Sequence, residues 1–298
     1  MRVPLLITLA VLALALWASE ARSAPRDARL APVQDFAFAL GIDVDSDAEV
    51  ERLRAYDLVV VDGELTSAQR VGQLRAGGTI VLGYLSVGTI EPFRSWYRKL
   101  KPFRLADRFE EFDEDYARVS APGFRRAIAN RIAPKLLGKG FDGLFLDNTD
   151  MVEGHPKQRK GMRRLVRRLA GLVHARGGLL FAQNGERSVG PLLPVLDGWN
   201  REDVTWTYSF KRGRYVHQPA PDVAAAQSAL ARIAAAGLLV TSSDYTTAGD
   251  AAAERESVAN ACAAGAIPFV SDIGLRRLPA APLRAARRRP AGRGDTRS

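Results

Sequence analysis

The sequence predicts an α/β protein, a single-domain (β/α)8 TIM barrel. Three observations predict it. Short apolar, β-rich runs ending in polar residues alternate with longer amphipathic or alanine-rich stretches, the rhythm of βα units around a parallel sheet. Eight such runs fall within about 240 residues, the size of one barrel. No glycine-rich phosphate loop follows the first run, which places a doubly wound dinucleotide fold second.

The eight strands are expected at 35–40, 58–62, 79–84, 143–147, 179–184, 198–202, 237–241 and 267–271. The sixth is the weakest, because Asn200 and Arg201 are poor strand formers. Helices are expected at 67–76, 122–137, 160–175, 221–236 and 251–264. Pro134 should end or kink the second of these, and Gly177-Gly178 should stop the third. In that third helix Lys160, Arg163, Arg164, Arg167 and Arg168 share one face, with Met162, Leu165, Val166, Leu169, Leu172 and Val173 on the other. Such a basic stripe reads as the solvated side of a barrel helix. It lacks the interleaved aromatics of a nucleic-acid platform, and no nucleic-acid partner is expected.

The chain ends are read separately. Arg2, an almost wholly apolar run from Val3 to Trp17, and small residues at Ala18, Ser19, Ala21 and Ser23 make residues 1–23 a secretory signal peptide. That places the body outside the cytoplasm, either secreted or periplasmic and at the cell surface. Residues 24–34 form a linker, 35–278 the catalytic barrel, and 279–298 an Arg/Pro-rich disordered tail. The net charge of +10 suggests a polyanion partner until it is located. Residues 276–298 hold eight Arg against one Asp, and residues 1–23 carry a net +1, which leaves the body at +2. The tail could give weak contact with an anionic cell surface. Cys262 has no second cysteine to pair with and reads as a buried helix residue in a body stabilised by its core. A monomer is expected.

In such barrels the active site forms where the strands end. Here the ends carry Asp62 and Glu64; Tyr84, Ser86 and Glu91; Asp147, Asn148 and Asp150; Gln183, Asn184 and Glu186; Glu202 and Asp203; Ser243, Asp244 and Tyr245; Ser271 and Asp272. A ring of carboxylates, amides and hydroxyls suits a sugar polymer, and Trp96, Tyr97, Trp199, Trp206 and Tyr245 are candidate platforms for the flat sugar faces. Glycoside cleavage needs one carboxyl to protonate the leaving oxygen and another to attack the anomeric carbon or activate water. Asp147, after Leu144-Phe-Leu146, is the candidate nucleophile and Glu202 the candidate acid, raised in pKa by Trp199, Trp206 and the Asp147 charge. Substrate contacts are expected from Asp62, Tyr84, Ser86, Glu91, Asp150, Asn184, Asp244, Tyr245 and Asp272. No cofactor and no metal are expected. The three His do not stand at zinc-ligand spacing, Asp147-Asn-Thr-Asp150 lacks the calcium-loop spacing, and no Gly-x-Ser-x-Gly elbow occurs. A non-catalytic carbohydrate-binding barrel on the cell surface is the alternative, and it would lack a working acid.

The runs Gly83-Tyr-Leu-Ser-Val-Gly88 with Glu91, Gly140-Phe-Asp-Gly-Leu-Phe-Leu-Asp147-Asn-Thr-Asp150 and Gln183-Asn-Gly185 resemble glycoside hydrolase family 114, the endo-α-1,4-polygalactosaminidase-type barrels, over residues 36 to 278. The resemblance implies a (β/α)8 fold and hydrolysis of α-1,4-linked galactosamine polymers. It implies Asp147 as nucleophile, Glu202 as proton donor, and substrate contacts from Asp62, Tyr84, Asn184, Asp244 and Asp272. Asp203 stands after Glu202 where members often carry Ser or an aliphatic residue, which leaves Asp203 as the other candidate acid.

Overall fold

The structure, a computed structural model, describes residues 25–284. The expected signal peptide and most of the expected tail lie outside the described residues. Among the described residues no helix is long and apolar enough to cross a membrane.

Eight parallel strands form the barrel. In chain order the strands are β1 (Phe36–Phe38), β2 (Leu58–Asp62), β3 (Ile80–Ser86), β4 (Thr89–Ile90), β5 (Arg104–Phe109), β6 (Glu114–Ala117), β7 (Gly143–Asp147), β8 (Leu179–Gln183), β9 (Gly198–Glu202), β10 (Trp206–Ser209), β11 (Arg214–His217), β12 (Leu239–Tyr245) and β13 (Ile267–Ser271). The barrel order is β1-β2-β3-β7-β8-β9-β12-β13. Its two ends meet where the Phe36 and Phe269 rings pack edge to face with centroids 6.0 Å apart. All eight expected strands are present, including the one carrying Asn200 and Arg201. The seventh runs further than expected, so Asp244 and Tyr245 lie inside it and not beyond its end.

The helices follow local chemistry. Ser46, Ser67 and Asp250 cap the helices Asp47–Leu53, Ala68–Arg75 and Ala251–Ala263 through their side-chain oxygens. The amphipathic helix Arg159–His174 buries Met162, Leu165, Val166, Leu169 and Val173, and Gly177 turns the chain at φ +66° beyond its end. Around Pro134 the helix does not stop. It runs as Pro122–Ala127, a π-helical turn Ile128–Ile132 and Ala133–Leu137, so that the widened turn places the proline at the start of a fresh segment. Cys262 sits on Ala251–Ala263 but is only half-buried, a correction to its expected burial. Its neighbours on the inner face, Ala261 and Ala264, take the buried positions.

Two insertions escaped the sequence pattern. Strands β4, β6 and β5 form a small antiparallel sheet between β3 and β7, and β10–β11 form a hairpin after β9. Their strands are short and largely polar, so they carry little apolar alternation to detect. Both rise at the C-terminal ends of the barrel strands.

Two glycines of the recognised motifs are set by close approach. A Cβ on Gly88 would lie 1.8 Å from the Asn148 carbonyl oxygen, and one on Gly143 would lie 1.9 Å from that of Leu179. Any side chain there would displace β7 or the residue that follows it.

Candidate active site

A cleft of about 410 Å³ opens at the strand ends. Of the expected site residues, Asp62, Tyr84, Glu91, Asp147, Asp150, Asn184, Glu202 and Tyr245 line it.

Asp147 closes β7 and is heavily hydrogen-bonded. Oδ2 accepts from the Tyr84 hydroxyl at 2.7 Å and from Asn148 Nδ2 at 3.3 Å. Oδ1 accepts from the Asn148 backbone N–H at 2.6 Å and from Gln183 Nε2 at 3.1 Å. The Gln183 amide is itself oriented, because its Oε1 accepts from Asn200 Nδ2 at 2.9 Å, while Asn200 Oδ1 accepts from Thr241 Oγ1 at 2.7 Å and from Ser243 Oγ at 3.3 Å. Asn200, a poor strand former by composition, thus anchors a buried relay that orients the Asp147 carboxylate. The relay lies on one face because side chains alternate along β9 and β12.

Glu202 closes β9. Asn184 Nδ2 donates to its Oε2 at 2.8 Å, and the Tyr245 hydroxyl donates to Oε1. Burial raises its pKa first, followed by the Asp147 and Asp203 charges, to about 8. Asp147 is also raised by burial, but its donors oppose the shift. The two carboxyls therefore sit in different surroundings, Asp147 accepting four hydrogen bonds from Tyr84, Asn148 and Gln183 and Glu202 accepting two from Asn184 and Tyr245. The expected contribution of the two tryptophans is corrected. Trp199 is wholly buried with its indole donating to the Asn184 carbonyl, and the Trp206 indole donates to Glu256.

The residues just past β7, β8 and β9, Asn148, Asn184 and Asp203, all have left-handed backbones at φ +56° to +57°. Each costs about 1–3 kcal/mol, a strain that clusters at active sites, and Asn and Asp tolerate it best. Asp203 is raised to about 6, by burial first, but does not line the cleft. Of the two candidate acids, Glu202 lines the cleft.

Arg94 was not anticipated. Its buried guanidinium makes two bonds of 2.7 Å to Asp62, and Nε and Nη2 pair with Glu91 at 2.8 and 2.7 Å. Among the described residues it is the one cation lining the cleft, and Asp62 and Glu91, two of the carboxylates expected to meet substrate there, are committed to it. Glu114, also unanticipated, lines the cleft with its pKa raised to about 7, chiefly by burial. It accepts from the Thr89 hydroxyl, which contacts Ser86 and Asn148. Asp150 is raised to about 7 by burial and then by the Asp147 charge. No single-sequence signal marked Arg94 or Glu114, since both belong to the inserted segment.

Ser86, Asp244 and Asp272 do not line the cleft. Ser86 is buried beneath it, its hydroxyl 2.6 Å from that of Thr89. Asp244 faces away from its neighbour Tyr245 and accepts from the backbone N–H groups of Val204, Thr205 and Trp206 at 2.7, 3.0 and 3.3 Å. Asp272 caps the backbone N–H of Arg276 at 2.7 Å. Among the expected platforms only Tyr245 lines the cleft. Its aromatic rim is instead Phe93, Phe109 and Phe112, and the Phe112 ring meets Phe210 of the turn between β10 and β11 with centroids 5.2 Å apart.

Several known proteins resemble this chain. The glycoside hydrolase domain of PelA from Pseudomonas aeruginosa is 25% identical at a TM-score of 0.71, over 82% of this chain and 96% of that domain. Ega3 of Aspergillus fumigatus, solved in complex with galactosamine, shares the fold at a TM-score of 0.65 and 17% identity, over 83% of this chain and 95% of that one. An uncharacterized protein of Methanocaldococcus jannaschii is 26% identical over 158 residues, which span 46% of this chain and 45% of that protein. The sequence profile of glycoside-hydrolase family GH114 matches residues 18–285. That match takes in the whole barrel and every residue at its mouth, and the chain belongs to glycoside-hydrolase family GH114.

Proposed function

We propose that this glycoside hydrolase cleaves α-1,4-linked galactosamine-containing polysaccharide, with Asp147 as nucleophile and Glu202 as proton donor. The observation that carries the reading is the division of the two carboxyls. Burial and the Asp147 charge raise Glu202 to about 8, which suits a proton donor, while Tyr84, Asn148 and Gln183 donate to Asp147 and orient it. Glu202 gives its proton to the glycosidic oxygen as the bond to the anomeric carbon breaks, and an Asp147 oxygen bonds to that carbon. Glu202, now a carboxylate, then takes a proton from the water that releases the sugar. The amino-sugar preference is supported by charge. Asp147, Glu202, Glu114 and Asp150 line a cleft whose one cation among the described residues is already paired, so an ammonium-bearing polymer meets carboxyl oxygens and no unpaired cation. The crystallised relative with galactosamine supports the same class. The apolar run Val3 to Trp17 supports export.

The test is reducing-end release from α-1,4-linked galactosamine oligomers by the parent, Asp147→Asn and Glu202→Gln proteins. Both variants are expected to lose at least about a thousandfold in kcat. Glu202→Gln should keep most activity on an aryl glycoside, whose leaving group needs no proton. Undiminished polymer cleavage by either variant would overturn the residue roles, and cleavage of neutral polymers alone would overturn the substrate class.

A further inference from the structure

We infer that one flank of the barrel is a docking surface for a bilayer of anionic phospholipid, separate from the catalytic mouth. The helix Tyr97–Leu100, the helical run 122–137 and the helix Arg159–His174 carry twelve Lys and Arg side chains and no Asp or Glu. Residues 24–275 have a net charge of only +2, so everything else in that stretch sums to −10. The charge is therefore segregated, with a basic flank on an otherwise acidic body. Among the described residues none of these twelve side chains joins an ion pair, although Arg125 and Arg159 bond backbone carbonyls.

The three helices form one surface. Lys99, Arg126, Arg131 and Lys135 line a single groove of about 600 Å³ between the first two, floored by Trp96, Leu100 and Ile132 and lined by no carboxylate. The next helix continues the surface, because Arg164 lies close enough to Arg125 to depress its pKa after burial. Arg163, Arg164, Arg167 and Arg168 are all exposed. Among the described residues no carboxylate pairs with these cations, so an external polyanion is the stabilising partner.

A bilayer fits better than a single polymer strand. The cations are distributed over three helices and do not follow one track, and the exposed face of Arg159–His174 interleaves no Phe, Tyr or Trp on which bases could stack. An amino-sugar polymer carries the same sign and is repelled. The chain also holds a further membrane-directed feature, the five Arg of residues 285–298. Stable peripheral attachment takes more than one such signal.

The test is sedimentation of the full chain with vesicles of equal parts phosphatidylcholine and phosphatidylglycerol, against vesicles of phosphatidylcholine alone. The variant carries Arg163→Gln, Arg164→Gln, Arg167→Gln and Arg168→Gln, and a second carries Lys99→Gln, Arg126→Gln, Arg131→Gln and Lys135→Gln. Each cation near an anionic surface is worth about fivefold in partitioning, so each variant should bind the anionic vesicles at least about a hundredfold more weakly. Binding by the parent should fall as salt is raised, and hydrolysis of a soluble substrate should be unchanged in both variants. Both variants keep the N-terminal run and the tail, so a difference from the parent belongs to the flank. Equal binding by variants and parent, equal binding to neutral vesicles, or tighter binding to duplex DNA than to vesicles would each overturn the inference.

Discussion

Replacing Arg94 by Met should destabilise the fold and make its stability depend on pH. The guanidinium is 3% exposed and makes short bonds to two carboxylates that are themselves 11% and 6% exposed. Removing one partner from a buried ionic cluster costs about 3–5 kcal/mol, because the remaining charges stay buried without compensation. That is a large part of a total of roughly 5–15 kcal/mol, and for a chain of this size it lowers Tm by roughly 6–20 °C. Glu91 is held above its ordinary pKa by burial, and Arg94 opposes that shift, so in the variant Glu91 rises further. A carboxyl whose folded pKa lies above its unfolded value takes up a proton on folding. Its contribution is present below the unfolded pKa and is lost as pH rises through the folded one. The variant's deficit should therefore be largest at neutral and alkaline pH and shrink toward acid. Calorimetry at several pH values measures it. A triple variant with Asp62→Asn, Glu91→Gln and Arg94→Met should recover much of the loss. A Tm within about 2 °C of the parent, independent of pH, would refute the reasoning.

The remaining predictions concern titration and architecture. The basic limb of the kcat/KM profile should lie near pH 8, where Glu202 loses its proton. Tyr245→Phe removes a donor that lowers the Glu202 pKa, so that limb should move to higher pH; an unmoved limb would separate Glu202 from it. Asp244→Ala should lower stability by about 1–3 kcal/mol for each N–H left unsatisfied, because three backbone N–H groups between β9 and β10 lose their acceptor. Thermal denaturation reads that loss, and a raised KM at unchanged Tm would show that Asp244 meets substrate after all.

The site shows why strand-end residues are only partly readable. Asp147 follows a local apolar run, so its place at the mouth is legible from a few neighbours, whereas Glu202 follows Asn200 and Arg201 and is legible only from its strand's place in the βα series. Asp244 follows the same kind of run, but the strand extends to Tyr245. With a side-chain period of two, the tyrosine faces the cleft and the aspartate faces the β9–β10 loop. Trp199 has the composition of a sugar platform, yet the alternation along β9 puts it on the wholly buried face while Asn200 joins the relay to Asp147.

The barrel itself was determined by the sequence, because its signal is local and repeated. Eight apolar runs, their helical spacers, Gly88 and Gly143 each constrain their own neighbourhood and together admit one architecture. The tertiary structure alone decided which carboxylates are free. Asp62 and Glu91 are taken by Arg94, a residue from an insertion whose short polar strands leave no periodic trace. Burial and the proximity of Asp147 raise Glu202, and both depend on strands brought together from distant parts of the chain. Charge in a protein interior is set by what surrounds a group in space, and sequence neighbours supply only part of that surrounding.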